Sequence, residues 1–312
     1  MLRKKKIISN KILKIIYQHD YTKRTIISLY KYFKIHNPII LLDFIKIELK
    51  KYDVLGRIYI ATEGINVQIS TPDIYMKNVI YFFKNLNIHL KNICINYSIV
   101  NRSMAFWKLQ IKIRKQLVAN NIHDIPILTD SFKNYLNAFQ VNKCFFDKNT
   151  IFVDIRNHYE YEIGHFHRSL EIPSNTFREQ LDKLPIFLRL YQNKKIVLYC
   201  TGGIRCEKAA ALLKKYKFKN IYQIYGGILS YINQTKTYNL PMYFKGKLFV
   251  FDSRMAERIT NDVVSICKNC QNITDSMHIN CLNNVCHRLF IQCEKCSRKL
   301  KSYCSKRCLN FS

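Results

Sequence analysis

The residues best suited to chemistry lie in one short loop that begins at Cys200 and ends at Arg205. An apolar, β-branched run precedes the loop, and an Ala/Leu-rich run typical of a helix follows it. A strand that enters a helix through a glycine-rich turn directs backbone N–H groups and the positive end of the helix dipole towards one point. A thiol at that point should have a lowered pKa, and we therefore predict that Cys200 is a catalytic thiolate. The loop consists of Cys200, Thr201, Gly202, Gly203, Ile204 and Arg205.

Four further side chains are candidates for the same site. Arg205 has a forked guanidinium that could hold an anionic or oxygen-rich group near the sulfur. Cys206 directly follows the loop. It is either a resolving thiol for an oxidised or persulfidated Cys200 or a small residue that packs the helix against the sheet. Asp154 and Arg156 end another apolar strand, where they either shape the pocket or pair with each other.

Eight of the twelve cysteines fall near the C-terminal end, in four close pairs with knuckle-like spacing. The pairs are Cys267 with Cys270, Cys281 with Cys286, Cys293 with Cys296, and Cys304 with Cys308. Two tetrahedral zinc sites with four thiolates each would use all eight, and metal would supply much of the folding free energy of this region. The spacing does not decide which pairs combine. His287 either replaces one ligand or lies beside a site.

Composition limits the classes of partner and cofactor. The net charge of +30 in 312 residues favours a polyanionic partner, although the lysines are spread along the whole chain. The sequence has no apolar run long enough to span a membrane and no secretory signal, so we predict a cytoplasmic protein. It carries no dinucleotide fingerprint for NAD or flavin, no haem signal and no assignable set of two histidines and one carboxylate.

The N-terminal part alternates strand and helix patterns. Strands are expected at residues 56–61 and 67–70 around a turn at 63–66, and residues 71–73 open a helix. A further strand pair is expected at 93–100 and 109–114. This order predicts a small ferredoxin-like α+β domain. The second strand of that last pair presents basic side chains on one face, which either stay in solvent or contact phosphates; they are Lys108, Lys112 and Arg114.

The middle of the chain predicts a parallel sheet. After a linker at residues 123–129 and a helical stretch at 131–136, strands are expected at 150–157, at 196–199 and at 220–224. Helices are expected between these strands and after the last one, and the βαβ alternation implies parallel strands. A hairpin-like strand segment follows at residues 244–252.

Several of these strings resemble a rhodanese domain. They are Asp154-x-Arg156-Asn157, Glu160, Gly164-His165-Phe166, the Cys200 loop and Gly226-Gly227. The loop has four residues between cysteine and arginine, the length associated with sulfur-handling rhodaneses. Related phosphatases carry one residue more, so the phosphatase interpretation is the weaker one.

A longer resemblance narrows the family. Residues 199–209, together with 56–66 and 244–254, are similar to the rhodanese-like tRNA uridine hydroxylases. The resemblance implies hydroxylation of wobble uridine to 5-hydroxyuridine with molecular oxygen as co-substrate, and it implies that Cys200 is catalytic. It also implies the anticodon region of tRNA as partner, with no membrane and no deducible protein partner.

These inferences give a mixed α/β architecture in three parts. We predict an acylphosphatase-like domain at residues 1–122, a rhodanese domain at 123–236 and a cysteine-rich, zinc-binding extension at 237–312. Two other functions stay open from the residues alone. One is a sulfurtransferase that passes persulfide sulfur, and the other is a non-catalytic zinc protein that binds RNA or protein. The intact Cys200 and Arg205 argue against the non-catalytic alternative.

Overall fold

The computed structural model describes residues 12, 22–99, 105–122 and 134–311. The described residues form two compact units. Unit 1 contains residues 22–99 and 105–119 with Asp252–Arg254, and unit 2 contains the rest from residue 120 onward. Within the described part of the chain, no helix is long and apolar enough to cross a membrane. The boundaries at residues 122 and 236 stay a prediction.

Within residues 22–99 and 105–119, unit 1 contains a five-stranded sheet and two α-helices. Its elements are β1 (Arg24–Tyr32), α1 (Pro38–Leu49), β2 (Leu55–Ala61), β3 (Gly64–Pro72), α2 (Met76–Asn85), β4 (Asn96–Tyr97) and β5 (Leu109–Ile113). The strand order is β4-β1-β3-β2-β5, antiparallel except for β5, which runs parallel to β2. Buried strand residues such as Ile58 and Val67 form one core with Ile45 of α1 and Phe83 of α2. The predicted α+β class is confirmed.

Two details of the predicted sheet in unit 1 are wrong. The strands near residues 96 and 110 do not pair with each other, because β4 pairs with β1 and β5 pairs with β2. The turn expected at residues 63–66 is shorter, since β3 already begins at Gly64. Gly64 has φ +144°, and an added Cβ would lie 2.1 Å from the carbonyl oxygen of Lys31. Only glycine lets the strand start that close to its neighbour.

Unit 2 is built on a second five-stranded sheet. The first elements of this unit are β6 (Tyr135–Leu136), α3 (Ala138–Cys144), β7 (Thr150–Asp154), α4 (His158–Tyr161), β8 (Gly164–Phe166), β9 (Leu170–Glu171), α5 (Phe177–Phe187), β10 (Lys195–Tyr199), α6 (Ile204–Lys215), β11 (Ile221–Ile224) and α7 (Gly227–Thr237). The strand order is β6-β11-β10-β7-β9, and every pair is parallel. The predicted parallel sheet is confirmed, with β10 at its centre.

The helix predicted at residues 131–136 is partly wrong. Tyr135 and Leu136 form the edge strand β6, which pairs with β11. The helix starts later, because Asn137 caps α3: its side chain accepts the Gln140 N–H at 3.0 Å, and the Gln140 side chain accepts the Asn137 N–H at 2.9 Å. This reciprocal pair satisfies the free N–H groups of the first turn. Residues 131–133 and the linker at 123–129 lie outside the described residues.

The cysteine-rich end belongs to unit 2. Its elements are β12 (Phe244–Phe249), β13 (Ala256–Arg258), β14 (His278–Asn280), β15 (Leu289–Ile291), α8 (Glu294–Leu300) and α9 (Lys306–Asn310). Strand β12 lies between β13 and β8, and both pairs are antiparallel. Ile291 packs with Ile163 and Phe249 in one small core. That core attaches the C-terminal segment to the region around α4.

Candidate active site

Cys200 lies directly after the central strand of the parallel sheet, where active-site crevices form in this type of fold. The loop turns at Gly203, whose φ of 100° is in the left-handed region that favours glycine. This turn brings the Gly203 N–H to 3.1 Å from the Cys200 Sγ. The Cys206 N–H in turn donates to the Gly203 carbonyl oxygen at 3.0 Å as helix α6 begins. The geometry predicted for the loop is present.

The environment of Cys200 lowers the pKa of its thiol to about 6. Burial alone would raise the pKa, because it disfavours the thiolate. The hydrogen bond from the Cys206 thiol, the positive charge of Arg205 and the backbone N–H groups of Arg205 and Gly203 together outweigh that cost. Cys200 is therefore largely a thiolate at neutral pH.

The guanidinium of Arg205 is buried and paired with a carboxylate of the protein. Its two terminal nitrogens donate to the two carboxylate oxygens of Glu160 in α4, Nη2 at 2.8 Å from Oε2, and Arg205 is only 7% exposed. The Thr201 hydroxyl donates to the same carboxylate at 3.2 Å. The anion-holding role expected for Arg205 is thus taken by an internal partner. Arg205 instead fixes the loop and supplies positive charge beside Cys200.

Asp154 and Arg156 pair with each other, which was one of the two alternatives. Both side chains are fully buried, and Arg156 Nη2 lies 2.6 Å from Asp154 Oδ2. The same nitrogen donates to the Gly164 carbonyl oxygen at 2.6 Å. Among the described residues, Arg156 Nη1 has no hydrogen-bond partner, and the guanidinium carbon lies 5.8 Å from the ring centroid of Tyr199, at a cation–π distance. The pair secures the end of β7 beside β10.

The start of helix α7 closes the other side of the loop. The N–H groups of Ile228 and Leu229 donate to the carbonyl oxygens of Cys200 and Thr201 at 3.0 and 3.1 Å. Gly227 has φ +67°, and a Cβ there would lie 2.5 Å from the Cys200 carbonyl oxygen. The backbone of α7 can approach the loop this closely only because residue 227 has no side chain.

Glu160 is part of the rhodanese-like pattern but was not predicted to be a site residue. The available signal was the pattern Asn157-x-x-Glu160, since Glu160 Oε1 accepts the Asn157 N–H at 3.0 Å in the capping box of α4. A capping glutamate is normally exposed, whereas Glu160 is fully buried. Its second role depends on Arg205, 45 residues further along the chain.

The eight C-terminal cysteines form two sets of four. One set contains Cys267, Cys270, Cys293 and Cys296, and the other contains Cys281, Cys286, Cys304 and Cys308. The first pair in sequence therefore combines with the third, and the second combines with the fourth. His287 is exposed and belongs to neither set. Apart from these two sets, no group of three or more histidine, cysteine or acidic residues in the described ranges has metal-binding geometry.

The sulfur spacing fits a tetrahedral metal ion. Within the sets, Sγ–Sγ distances are 3.8 Å for Cys270–Cys293, 3.7 Å for Cys286–Cys304 and 3.5 Å for Cys304–Cys308. A zinc–sulfur bond of about 2.3 Å gives tetrahedral edges of about 3.8 Å. Backbone N–H groups of Cys293 and Cys304 also point at Sγ atoms of Cys267 and Cys281, which stabilises thiolate ligands.

Comparison with known proteins places the chain in a family. Three family models match successive parts: an acylphosphatase-like domain of UPF0176 proteins at residues 24–117, a rhodanese-like domain at 140–234 and a rhodanese C-terminal domain at 245–309. A protein of Pectobacterium carotovorum named tRNA uridine(34) hydroxylase is 46% identical over 97% of this chain and 85% of its own length. The chain belongs to the tRNA uridine(34) hydroxylase family.

Other members of the family are similar to nearly the same degree. A protein of the same name from Buchnera aphidicola subsp. Acyrthosiphon pisum is 46% identical over 97% of this chain and 93% of its own length. Another, from Buchnera aphidicola subsp. Baizongia pistaciae, is 44% identical over 93% of this chain and 92% of its own length. The family, the mixed α/β fold and the rhodanese domain expected from the resemblance are therefore confirmed.

Removal of the buried carboxylate tests the role of Glu160. We expect Glu160→Gln to lower the free energy of unfolding by about 3–5 kcal/mol, because the buried Arg205 guanidinium loses its charge partner. The matched control is Glu179→Gln on the exposed face of α5, which should change it by less than about 0.5 kcal/mol. Denaturant unfolding measures both. Equal stabilities of the two variants would contradict a structural role for the buried pair.

A side chain at residue 227 should disturb the loop. We expect Gly227→Ala to destabilise unit 2 by more than about 1 kcal/mol, because the added Cβ meets the Cys200 backbone at a positive φ. Thermal unfolding is the measurement, and Ser230→Ala, one turn further along α7, is the control. A Gly227→Ala protein as stable as this control would show that α7 does not approach the loop as described.

Proposed function

We propose that this protein hydroxylates uridine 34 of tRNA to 5-hydroxyuridine with molecular oxygen, and that Cys200 is the catalytic residue. The observation that carries the proposal is the Cys200 thiolate, with its pKa near 6, in a chain 46% identical to proteins named tRNA uridine(34) hydroxylase. Residues 201–204 form the loop in which the Gly203 N–H holds the sulfur, and Arg205 supplies positive charge. We also propose the domain bounds 1–122, 123–236 and 237–312. They place the Cys200 loop in the second domain and the four cysteine pairs in the third.

The thiolate supplies a nucleophile for the base. Addition of Cys200 Sγ to the pyrimidine carbon next to the reacting position would place electron density on C5, where the hydroxyl group is needed. Protonated Cys206 lies next to the Cys200 sulfur, and the Gly203 N–H holds the Cys200 sulfur in place. Asp154 and Arg156 pair with each other and hold the end of β7 beside the Cys200 strand.

The charge of the chain supports tRNA as substrate. A net charge of +30 favours a polyphosphate partner, and contacts to phosphates position a nucleic acid without reading its sequence. We propose that the anticodon region is bound, because position 34 lies there, and that the reaction takes place in the cytoplasm. Lys112 on β5, and Lys108 and Arg114 directly before and after the strand, are exposed candidates for contacts to the phosphates of tRNA.

The two cysteine sets are proposed to hold structural zinc. All four ligands of each set are thiolates, which closes the coordination sphere and leaves no open position for catalysis. Bound zinc would hold β14, β15, α8 and α9 together. These elements are short, so metal rather than a hydrophobic core would stabilise the segment.

Labelling with a heavy isotope of oxygen tests the reaction directly. Purified protein, unmodified tRNA and heavy-isotope oxygen gas should give 5-hydroxyuridine that contains the heavy oxygen, read by mass spectrometry of tRNA nucleosides. Cys200→Ser should form none, and Cys144→Ser, a change at another buried cysteine of unit 2, should match the unchanged protein. Label from water instead of oxygen gas would exclude the oxygenase, and thiocyanate formation from thiosulfate and cyanide would favour a sulfurtransferase.

Metal analysis tests the interleaved sets. We expect about two zinc ions per chain. The double change Cys267→Ser with Cys296→Ser disrupts one set and should remove about one zinc ion, whereas Cys267→Ser with Cys281→Ser disrupts both sets and should remove both. The reverse pattern would show that neighbouring pairs combine, and a protein without zinc would refute the proposal.

A further inference from the structure

Hydroxylation by oxygen requires electrons that the substrate does not provide. Conversion of a C–H bond to C–OH uses one oxygen atom of O₂, and the second atom leaves as water only after two electrons and two protons are added. Monooxygenases usually take these electrons from a flavin, a metal or NADH. In the described residues, the groupings with metal-binding geometry are the two closed four-thiolate sets. The source of the two electrons therefore needs an explanation.

The proposed catalytic residue, Cys200, has a second thiol beside it. Cys200 and Cys206 are both fully buried, and the Cys206 thiol donates a hydrogen bond to the Cys200 sulfur. The loop geometry holds them together, because the Gly203 N–H contacts the Cys200 Sγ while the Gly203 carbonyl oxygen accepts from the Cys206 N–H. Neither cysteine is in a disulfide. Two neighbouring thiols held in one short loop can release two electrons and two protons by forming one disulfide.

From this arrangement, and on the basis of the proposed hydroxylase function, we infer that Cys200 and Cys206 supply the two electrons for oxygen reduction and become a disulfide in each turnover. The balance is uridine, O₂ and two thiols on one side, with 5-hydroxyuridine, water and one disulfide on the other. The C5–O and S–S bonds form. The O–O bond breaks, and the C5 proton and the thiol protons leave with the water or the solvent.

The individual steps keep the same balance. Addition of the Cys200 sulfur to C6 moves an electron pair to C5, which binds O₂ and, with a proton, becomes a hydroperoxide. The Cys206 sulfur takes the outer oxygen, so the O–O bond breaks and C5 keeps a hydroxyl group. Loss of the C5 proton expels Cys200 and restores the double bond. Cys200 then attacks the sulfenic acid on Cys206, water leaves and the disulfide forms.

The protonation states of the two thiols suit these roles. Cys200 is the thiolate needed for addition, while burial and the hydrogen bond to that thiolate raise the pKa of Cys206 well above its usual value. Cys206 therefore keeps its proton while Cys200 is a thiolate, and it does not compete as a nucleophile for the base. Once the Cys200 sulfur is bonded to C6, the thiolate that raises the pKa of Cys206 is gone, and Cys206 can attack the hydroperoxide. An external dithiol must reduce the disulfide by thiol–disulfide exchange before the next turnover.

Turnover without reductant tests the inference. The fully reduced, zinc-loaded protein, freed of reductant, should form about one 5-hydroxyuridine per chain under oxygen and lose two thiols. Peptide mass spectrometry should find them as a Cys200–Cys206 disulfide. Addition of dithiothreitol should restore repeated turnover. Many turnovers without reductant, with both thiols intact, would overturn the inference.

A serine at residue 206 separates electron donation from packing. Cys206→Ser keeps a small hydrogen-bond donor and should lower the yield of 5-hydroxyuridine at least about tenfold, with and without dithiothreitol. Cys144→Ser is the control and should behave as the unchanged protein. A Cys206→Ser yield equal to that of the control assigns Cys206 to packing and overturns the inference. If the unchanged protein forms no 5-hydroxyuridine even with dithiothreitol, the proposed function itself fails, and the inference fails with it.

Discussion

The buried ion pair between Glu160 and Arg205 is the contact on which the Cys200 loop depends. Two charges removed from water are stable only when each satisfies the other, so the pair fixes the distance between helix α4 and the first turn of α6. Thr201 joins the same carboxylate and extends that constraint into the loop. The cysteine at the head of the loop is therefore held by a rigid frame before any substrate arrives.

This frame also explains why the thiol ionises although it is buried. A sulfur enclosed by apolar groups would keep its proton, because a buried charge is costly. Here the loop supplies N–H donors, Arg205 supplies positive charge and Cys206 supplies a further donor, and together they lower the pKa of Cys200 to about 6. The same arrangement leaves the neighbouring thiol protonated. One site thus holds a nucleophile and a proton donor side by side.

The parts of the site that were predictable from sequence are local in the chain. The strand, the glycine turn and the helix around Cys200 follow from residues that are adjacent, and so do the four cysteine pairs. The combination of those pairs into interleaved sets depends on how β14 and β15 fold back, which spacing does not encode. Arg205 illustrates the same limit, because its carboxylate partner Glu160 lies 45 residues away, and the capping pattern of Glu160 does not point to Arg205.

A direct titration tests whether Cys200 is a thiolate at neutral pH. The ultraviolet absorbance of the thiolate would be followed against pH in the zinc-loaded protein, with the titration of Cys200→Ser subtracted. We predict a single transition, from the Cys200 thiol, with a pKa of about 6. A transition near the value of an unperturbed cysteine, about 8.5, would contradict it.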